Sequence, residues 1–220
     1  MLILPTTLLL LAATEQPSAA PAPDLAFDRA ALYLPAAPAA DEPASFSYTY
    51  VQLGYSVTNL DSIDDDAKGL NGRASLGLLH FLYVFLDYQN ETVDFQNTKS
   101  DAWGLGAGAH FGLMPGLDVL GEAAWLTNDI KSDLGTLDDT NTGWTAMAGA
   151  RWMAAPALAG GLELDGGYRW IDMKGLLSDE TTGAWEVGAR LHFLKMLSVG
   201  VGYSFLEQDR QWGVNARVSF

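Results

Sequence analysis

The final 25 residues constrain the fold more than any other stretch. From Leu197 onward, Val199, Val201, Tyr203 and Phe205 are apolar at every second position, with Ser198, Gly200, Gly202 and Ser204 between them. After the polar run 207–211, alternation resumes. Trp212, Val214, Ala216, Val218 and Phe220 lie on one parity, and Gly213, Asn215, Arg217 and Ser219 on the other. Successive side chains of a strand point to opposite faces, so this pattern predicts a two-stranded hairpin with one charge-free face. Alternation alone does not say which face is dry. A soluble sandwich or lipocalin-like barrel turns its apolar face inward, whereas a membrane barrel turns it to lipid.

The same theme runs back to residue 46. The alternating segments are 46–57, 70–79, 82–93, 102–113, 117–126, 143–153, 161–171, 184–193, 197–205 and 212–220. They predict ten strands, with eight as the alternative count. The cleanest is 102–113, where Trp103, Leu105, Ala107, Ala109 and Phe111 alternate with Gly104, Gly106, Gly108, His110 and Gly112.

The composition of the two faces favours lipid outside. The apolar faces of these segments carry no Lys, Arg, Asp or Glu. The opposite faces carry Arg73, Asp87, Glu91, Asp118, Glu122, Arg151, Glu163, Asp165, Arg169, Glu186, Arg190 and Arg217, seven acids against five bases. The apolar faces also begin and end in aromatics: Trp103 and Phe111, Trp144 and Trp152, Trp185 and Phe193, Trp212 and Phe220. Tryptophan prefers the membrane–water interface because its ring is apolar and its N–H can hydrogen-bond. A soluble barrel would place such rings centrally. In lipid every backbone amide must be paired, so strands cross only as a closed sheet. The expected fold is therefore all-β, a closed antiparallel up-and-down transmembrane barrel. Its interior charge network comprises Arg73, Glu122, Arg151, Glu163, Asp165, Arg169, Glu186, Arg190 and Arg217. Its interface aromatics are Trp103, Trp144, Trp152, Trp185, Trp212 and Phe220.

The links between segments set an orientation. Short links fall at 80–81, 114–116, 154–160 and 194–195; longer polar ones fall at 58–68, 94–101, 127–141, 172–182 and 207–211. Outer-membrane barrels have short periplasmic turns and longer outer loops, which puts both ends of the barrel domain in the periplasm.

Phe220, with Val218, Ala216, Val214 and Trp212 behind it, is similar to the assembly signal of bacterial outer-membrane barrels. That likeness implies the barrel-assembly machinery as a partner, engaged through the C-terminal strand. Three further stretches are Tyr48-Thr49-Tyr50-Val51 with Gly54-Tyr55, then Leu70-Asn71-Gly72, and Trp103-Gly104-Leu105-Gly106-Ala107-Gly108. Through them the chain resembles small outer-membrane barrels of xanthomonads and relatives, once discussed as quorum-sensing or immunity-triggering factors. The tether before residue 46 departs from that group. A signalling role would rest on analogy, since fold does not imply function.

Outer-membrane proteases and lipid A-modifying enzymes share this architecture, with a catalytic His near the outer rim. Here His80, His110 and His192 fall near the periplasmic turns, out of reach of such substrates. His110 and His192 both point inward, which leaves a shared cluster conceivable. No catalytic residue, metal site or cofactor is expected. The interior charges have two readings. In one, the five arginines pair with Glu122, Glu163, Glu186 and Asp118 to fill the lumen. In the other they line a narrow polar pore, with the glycines of the fourth and ninth segments leaving room. The outer loops are acidic, with Asp61, Asp64, Asp65 and Asp66 in the first, Asp129, Asp133, Asp138 and Asp139 in the third, and Asp179 and Glu180 in the fourth. Solvation explains them; the order of ligands for a calcium loop is missing.

A formal charge of −15 argues against a nucleic-acid partner. The absence of cysteine excludes disulfides and thiolate metal sites. Residues 1–19 read as an export signal that lacks the usual basic start, and 20–45 as an Ala/Pro-rich periplasmic tether. The expected protein is a monomeric, non-enzymatic outer-membrane barrel (46–220) in contact with lipid and lipopolysaccharide. It serves envelope structure or surface interaction; the alternative is a narrow porin for small polar solutes.

Overall fold

The computed structural model describes residues 46–60, 65–93, 98–132, 138–154, 161–174, 179–194, 196–206 and 209–220. The export signal (1–19), the tether (20–45) and the loop acids Asp61, Asp64 and Asp133 lie outside the described residues. Ten strands follow one another: β1 (Tyr50–Leu60), β2 (Asp65–Leu79), β3 (Leu82–Val93), β4 (Thr98–Met114), β5 (Leu117–Ser132), β6 (Asp138–Met153), β7 (Leu162–Lys174), β8 (Asp179–His192), β9 (Leu197–Leu206) and β10 (Asp209–Ser219). Each pairs antiparallel with its neighbours in the chain, and β1 pairs with β10 from Tyr50↔Ser219 to Leu60↔Asp209, closing the barrel. Closure leaves no unpaired sheet edge, the condition lipid imposes on a β-structure.

The expected parity holds on every strand. All seven tryptophans are on the outer surface, between 44 and 61% exposed in the absence of lipid. Register gathers six of them into a belt near the loop end, where Tyr88 pairs with Trp103, Trp125 with Trp144, Trp185 with Tyr168 and Phe205, and Trp212 with Tyr203. Phe111, Trp152, Phe193 and Phe220, all exposed, lie near the turn end. From Trp103 to Phe111, eight residue steps at about 3.3 Å each span about 26 Å of strand. Strand tilt shortens this to about 20 Å of height, close to the apolar band of outer-membrane barrels.

Two expectations about length need correction. The strands run past the aromatic belt, so Trp103 and Trp144 sit inside β4 and β6 rather than at strand ends. Much of the sequence taken for long loops is sheet. Residues 127–132 and 138–141, for example, continue β5 and β6, paired from Thr127↔Thr142 to Lys131↔Asp138. Above the membrane both faces meet water, so polar Thr, Asn, Asp and Lys pair through their backbones without apolar alternation to reveal them. Charges on the outward parity also appear there: Asp172 accepts from Trp144 Nε1 at 2.8 Å, and Asp101 from the Tyr88 hydroxyl at 3.1 Å.

The first strand starts four residues later than its alternation suggests. Residues 46–49 leave the wall and turn into the mouth at the turn end, fastened by Ser47 Oγ donating to the Phe220 carbonyl at 3.0 Å and by Phe220 N–H donating to Thr49 at 2.9 Å. On that side Gly116, at φ 76°, makes the tight turn between β4 and β5, a left-handed conformation glycine adopts without strain.

Candidate functional site

The lumen holds the chemistry, since inward parity collects almost every polar side chain of the membrane band. Glu163 of β7 is the most enclosed charged side chain described, with 2% exposure. Its Oε1 accepts from Arg190 Nη1 at 2.9 Å and lies 3.2 Å from Arg151 Nε and 3.7 Å from Arg217 Nη1. Its Oε2 is 3.0 Å from His192 Nε2. Three arginines and a histidine from β6, β8 and β10 thus converge on one carboxylate. Gln52 of β1 supports them, its Oε1 accepting from Arg190 Nη2 at 2.9 Å and from Arg217 Nε and Nη2 at 3.0 and 2.8 Å. Arg217 also stacks on Tyr50, 3.9 Å from the ring centre.

A second network lies nearer the loop end. Arg73 grips Asp87 with two hydrogen bonds of 2.6 and 2.7 Å and reaches Glu122 at 2.9 Å. Glu122 also accepts from the Tyr83 hydroxyl at 2.9 Å. Arg169 grips Glu186 at 2.6 and 3.1 Å and stands 4.0 Å from Glu122, joining the two pairs. Farther toward the loops, Glu91 accepts from Thr58 and Gln211 at 3.1 and 3.2 Å.

Aromatic rings cluster at the turn end. Tyr48 stacks on His110 at 3.7 Å and on Tyr83 at 4.8 Å, and its hydroxyl donates to Asp118 Oδ2 at 2.9 Å. His110 Nδ1 is 3.2 Å from the same carboxylate oxygen. Burial pushes the Tyr48 phenol well above its ordinary value; Arg151 opposes the rise and Asp118 adds to it. Tyr48, Tyr83, Phe85 and Ala124 form a small buried apolar core inside the barrel, with Phe46 packed against it.

Of the charges expected inside, Arg73, Glu122, Arg151, Glu163, Arg169, Glu186, Arg190 and Arg217 come together in the first two networks. Asp165 lies opposite Arg151 in the β6–β7 register, its carboxylate against Gly188. Asp118, expected to pair with an arginine, stands opposite Arg151 in the β5–β6 register but accepts from the Tyr48 hydroxyl and faces His110 instead. Asp87 takes Arg73. His110 and His192 engage different carboxylates and form no shared cluster. The glycines of β4 do not leave room. A Cβ at Gly106 would stand 2.5 Å from Phe85 Cζ, and the Tyr83 ring covers Gly108. Alternation could not reveal Tyr48, which precedes its strand, nor Gln52 and Tyr83, which matter through cross-strand register. Among the described residues no cluster of three or more His, Asp or Glu is arranged to hold a metal ion.

A closed ten-stranded barrel with an aromatic-bounded apolar wall and an ion-paired lumen defines a bacterial outer-membrane barrel protein. Residues 30–205 match the family model of the outer membrane protein beta-barrel domain, and the chain belongs to that family; its location is the outer membrane. Comparison with curated proteins gives no match. Among solved structures, Neisserial surface protein A is similar at 20% identity and TM-score 0.44, over 78% of this chain and 96% of that one. The KdgM porin, in complex with disordered oligogalacturonate, is similar at 8% identity and TM-score 0.42, over 78% and 99%. An outer-membrane channel of Pseudomonas putida F1 is similar at 13% identity and TM-score 0.45, over 82% and 98%. These likenesses concern the barrel fold alone.

Proposed function

We propose that this protein is a non-enzymatic, monomeric outer-membrane barrel whose lumen is closed to steady solute flow. It acts through its wall and loop-end surface, in envelope structure or surface interaction. The observation that carries the reading is the burial of Glu163 among Arg151, Arg190, Arg217 and His192, with Tyr48 stacked across the mouth beside it. Such a layer supports a lumen without a continuous water column for ions to follow. Lipid and lipopolysaccharide are its surroundings, and β10 with the following Phe220 is the segment the assembly machinery would read. Likeness to the xanthomonad barrels is a motive for testing surface interaction. A non-enzymatic role agrees with histidines that sit at the turn end and are already engaged by Asp118 and Glu163.

The narrow-porin reading has its own observation: adjoining lumen cavities of about 310 and 410 Å³ reach from the Glu163 layer toward the loops. Planar-bilayer recording separates the two. A closed barrel gives little or no steady conductance. Discrete, reproducible channels abolished by substitution at Arg151 or Glu163 would establish the porin.

A further inference from the structure

The interior ion pairs are not shared evenly. Arg73 meets Asp87 and Glu122, and Arg169 meets Glu186. Arg151, Arg190 and Arg217 share the single carboxylate of Glu163. Asp165 and Asp118 flank Arg151 in register; Asp165 makes no hydrogen bond or ion pair among the described residues, and Asp118 is taken by Tyr48 and His110. With both counted, three guanidiniums face three carboxylates, but among the described residues only Glu163 forms ion pairs with them.

These guanidiniums are also short of acceptors. Arg151, 9% exposed, leaves Nε and Nη1 without a hydrogen bond, and Arg190, 5% exposed, leaves Nε. Arg217 satisfies Nε and Nη2 on the neutral Gln52 oxygen, which Arg190 shares. A buried donor without a partner carries a desolvation cost that an incoming acceptor removes. All three arginines line the lumen cavity of about 310 Å³, several times the roughly 30 Å³ of a water molecule.

We propose that this cavity binds a small monocarboxylate, held by the guanidiniums of Arg151, Arg190 and Arg217. The planar guanidinium fork matches the two oxygens of a carboxylate, and no lysine lines the cavity. Glu122 and Glu186 also line it, but Arg73 and Arg169 engage them. Gln52, Asn215 and Ser204 offer neutral polar partners to the rest of the solute. The way in is from the loops, through the adjoining cavity that shares Arg73, Arg169 and Glu186 and extends to Thr58, Glu91 and Gln211. The site goes beyond the closed-barrel reading, since a blind vestibule binds a solute as a pore does.

The test is a calorimetric titration of the folded wild-type barrel, in zwitterionic detergent, with sodium acetate and separately with sodium chloride at matched ionic strength. Saturable acetate binding is expected, roughly tenfold or more tighter than chloride. Gln52→Glu puts a built-in carboxylate where Arg190 and Arg217 already converge. It should abolish the acetate heat while the protein keeps the heat-modifiable gel band of a folded barrel. Should that variant not fold, Asn215→Asp makes the same test, because Asn215 Oδ1 lies 3.1 Å from Arg190 Nη2. Absence of saturable acetate binding by the wild type overturns the proposal. Undiminished binding in a folded charge-supplying variant overturns it too, and equal affinity for chloride overturns the carboxylate assignment. Conductance plays no part in this readout, so its outcome is independent of whether the barrel is closed.

Discussion

Arg73 and Asp87 stand opposite one another on β2 and β3 and meet fork to fork, with Nε to Oδ1 at 2.6 Å and Nη2 to Oδ2 at 2.7 Å. The pair is built by register, and the free edge of the same guanidinium reaches across the lumen to Glu122. Lysine keeps the charge but has neither the fork nor the reach to serve both acids. Arg73→Lys is therefore expected to destabilise the barrel by about 1–3 kcal/mol, the range for losing charged hydrogen bonds. The urea midpoint for loss of the heat-modifiable band reads this directly; an unchanged midpoint would show that the fork contributes nothing.

Glu163 anchors the other network, and its neutralisation leaves cations facing one another in a confined lumen. Glu163→Gln should cost about 3–5 kcal/mol, the penalty for breaking a buried ion pair on one side. Removing a cation as well should recover part of that loss. The double variant Glu163→Gln with Arg217→Gln is expected to have a higher urea midpoint than Glu163→Gln alone. If the second substitution only adds damage, repulsion among the arginines is not what Glu163 relieves.

Tyr48 gives a pH dependence with a definite sign. Its phenol, ordinarily at 10.0, is raised in the folded protein, mainly by burial. Between the unfolded and folded values the unfolded chain releases a proton that the folded one retains. The stability Tyr48 contributes is therefore intact below about pH 10 and is lost as pH rises from there through the folded value. The wild type should lose more stability between about pH 9 and about pH 11 than Tyr48→Phe does. Parallel losses in the two proteins would show that the ring is not enclosed at the mouth.

The barrel itself was legible in the sequence because lipid enforces period-two alternation on the wall, and the wall supplies most of the chain. The strands above the aromatic belt were not, since β5 from Asn128 to Lys131 continues past the apolar band and has no need to alternate. Which charge meets which was only partly legible. Inward parity placed Arg73 and Glu163 in the lumen, but partners depend on register across strands, and nothing local encodes that Arg73 faces Asp87. The glycines of β4 misled for a related reason. An absent side chain looks like space until the neighbouring strand is aligned, and register puts Phe85 over Gly106. Tyr48 escaped because residues that fold into a mouth carry no periodic signal.

The last prediction tests which side of the wall is dry. Leu105 lies on the outer face of β4 between Trp103 and Phe111, 59% exposed in the absence of lipid. If that face meets acyl chains, Leu105→Arg forces a guanidinium into the apolar band between belt and midplane and should cost about 1–3 kcal/mol in bilayers. The same change at Lys99, on the same parity but above the belt, keeps its charge in water and should cost close to nothing. Urea unfolding in lipid vesicles, followed by tryptophan fluorescence, measures both. Brominated acyl chains supply the complementary reading, since tryptophans on the lipid face should be quenched. Equal, small effects of Leu105→Arg and Lys99→Arg, together with unquenched tryptophans, would place water rather than lipid against the outer wall.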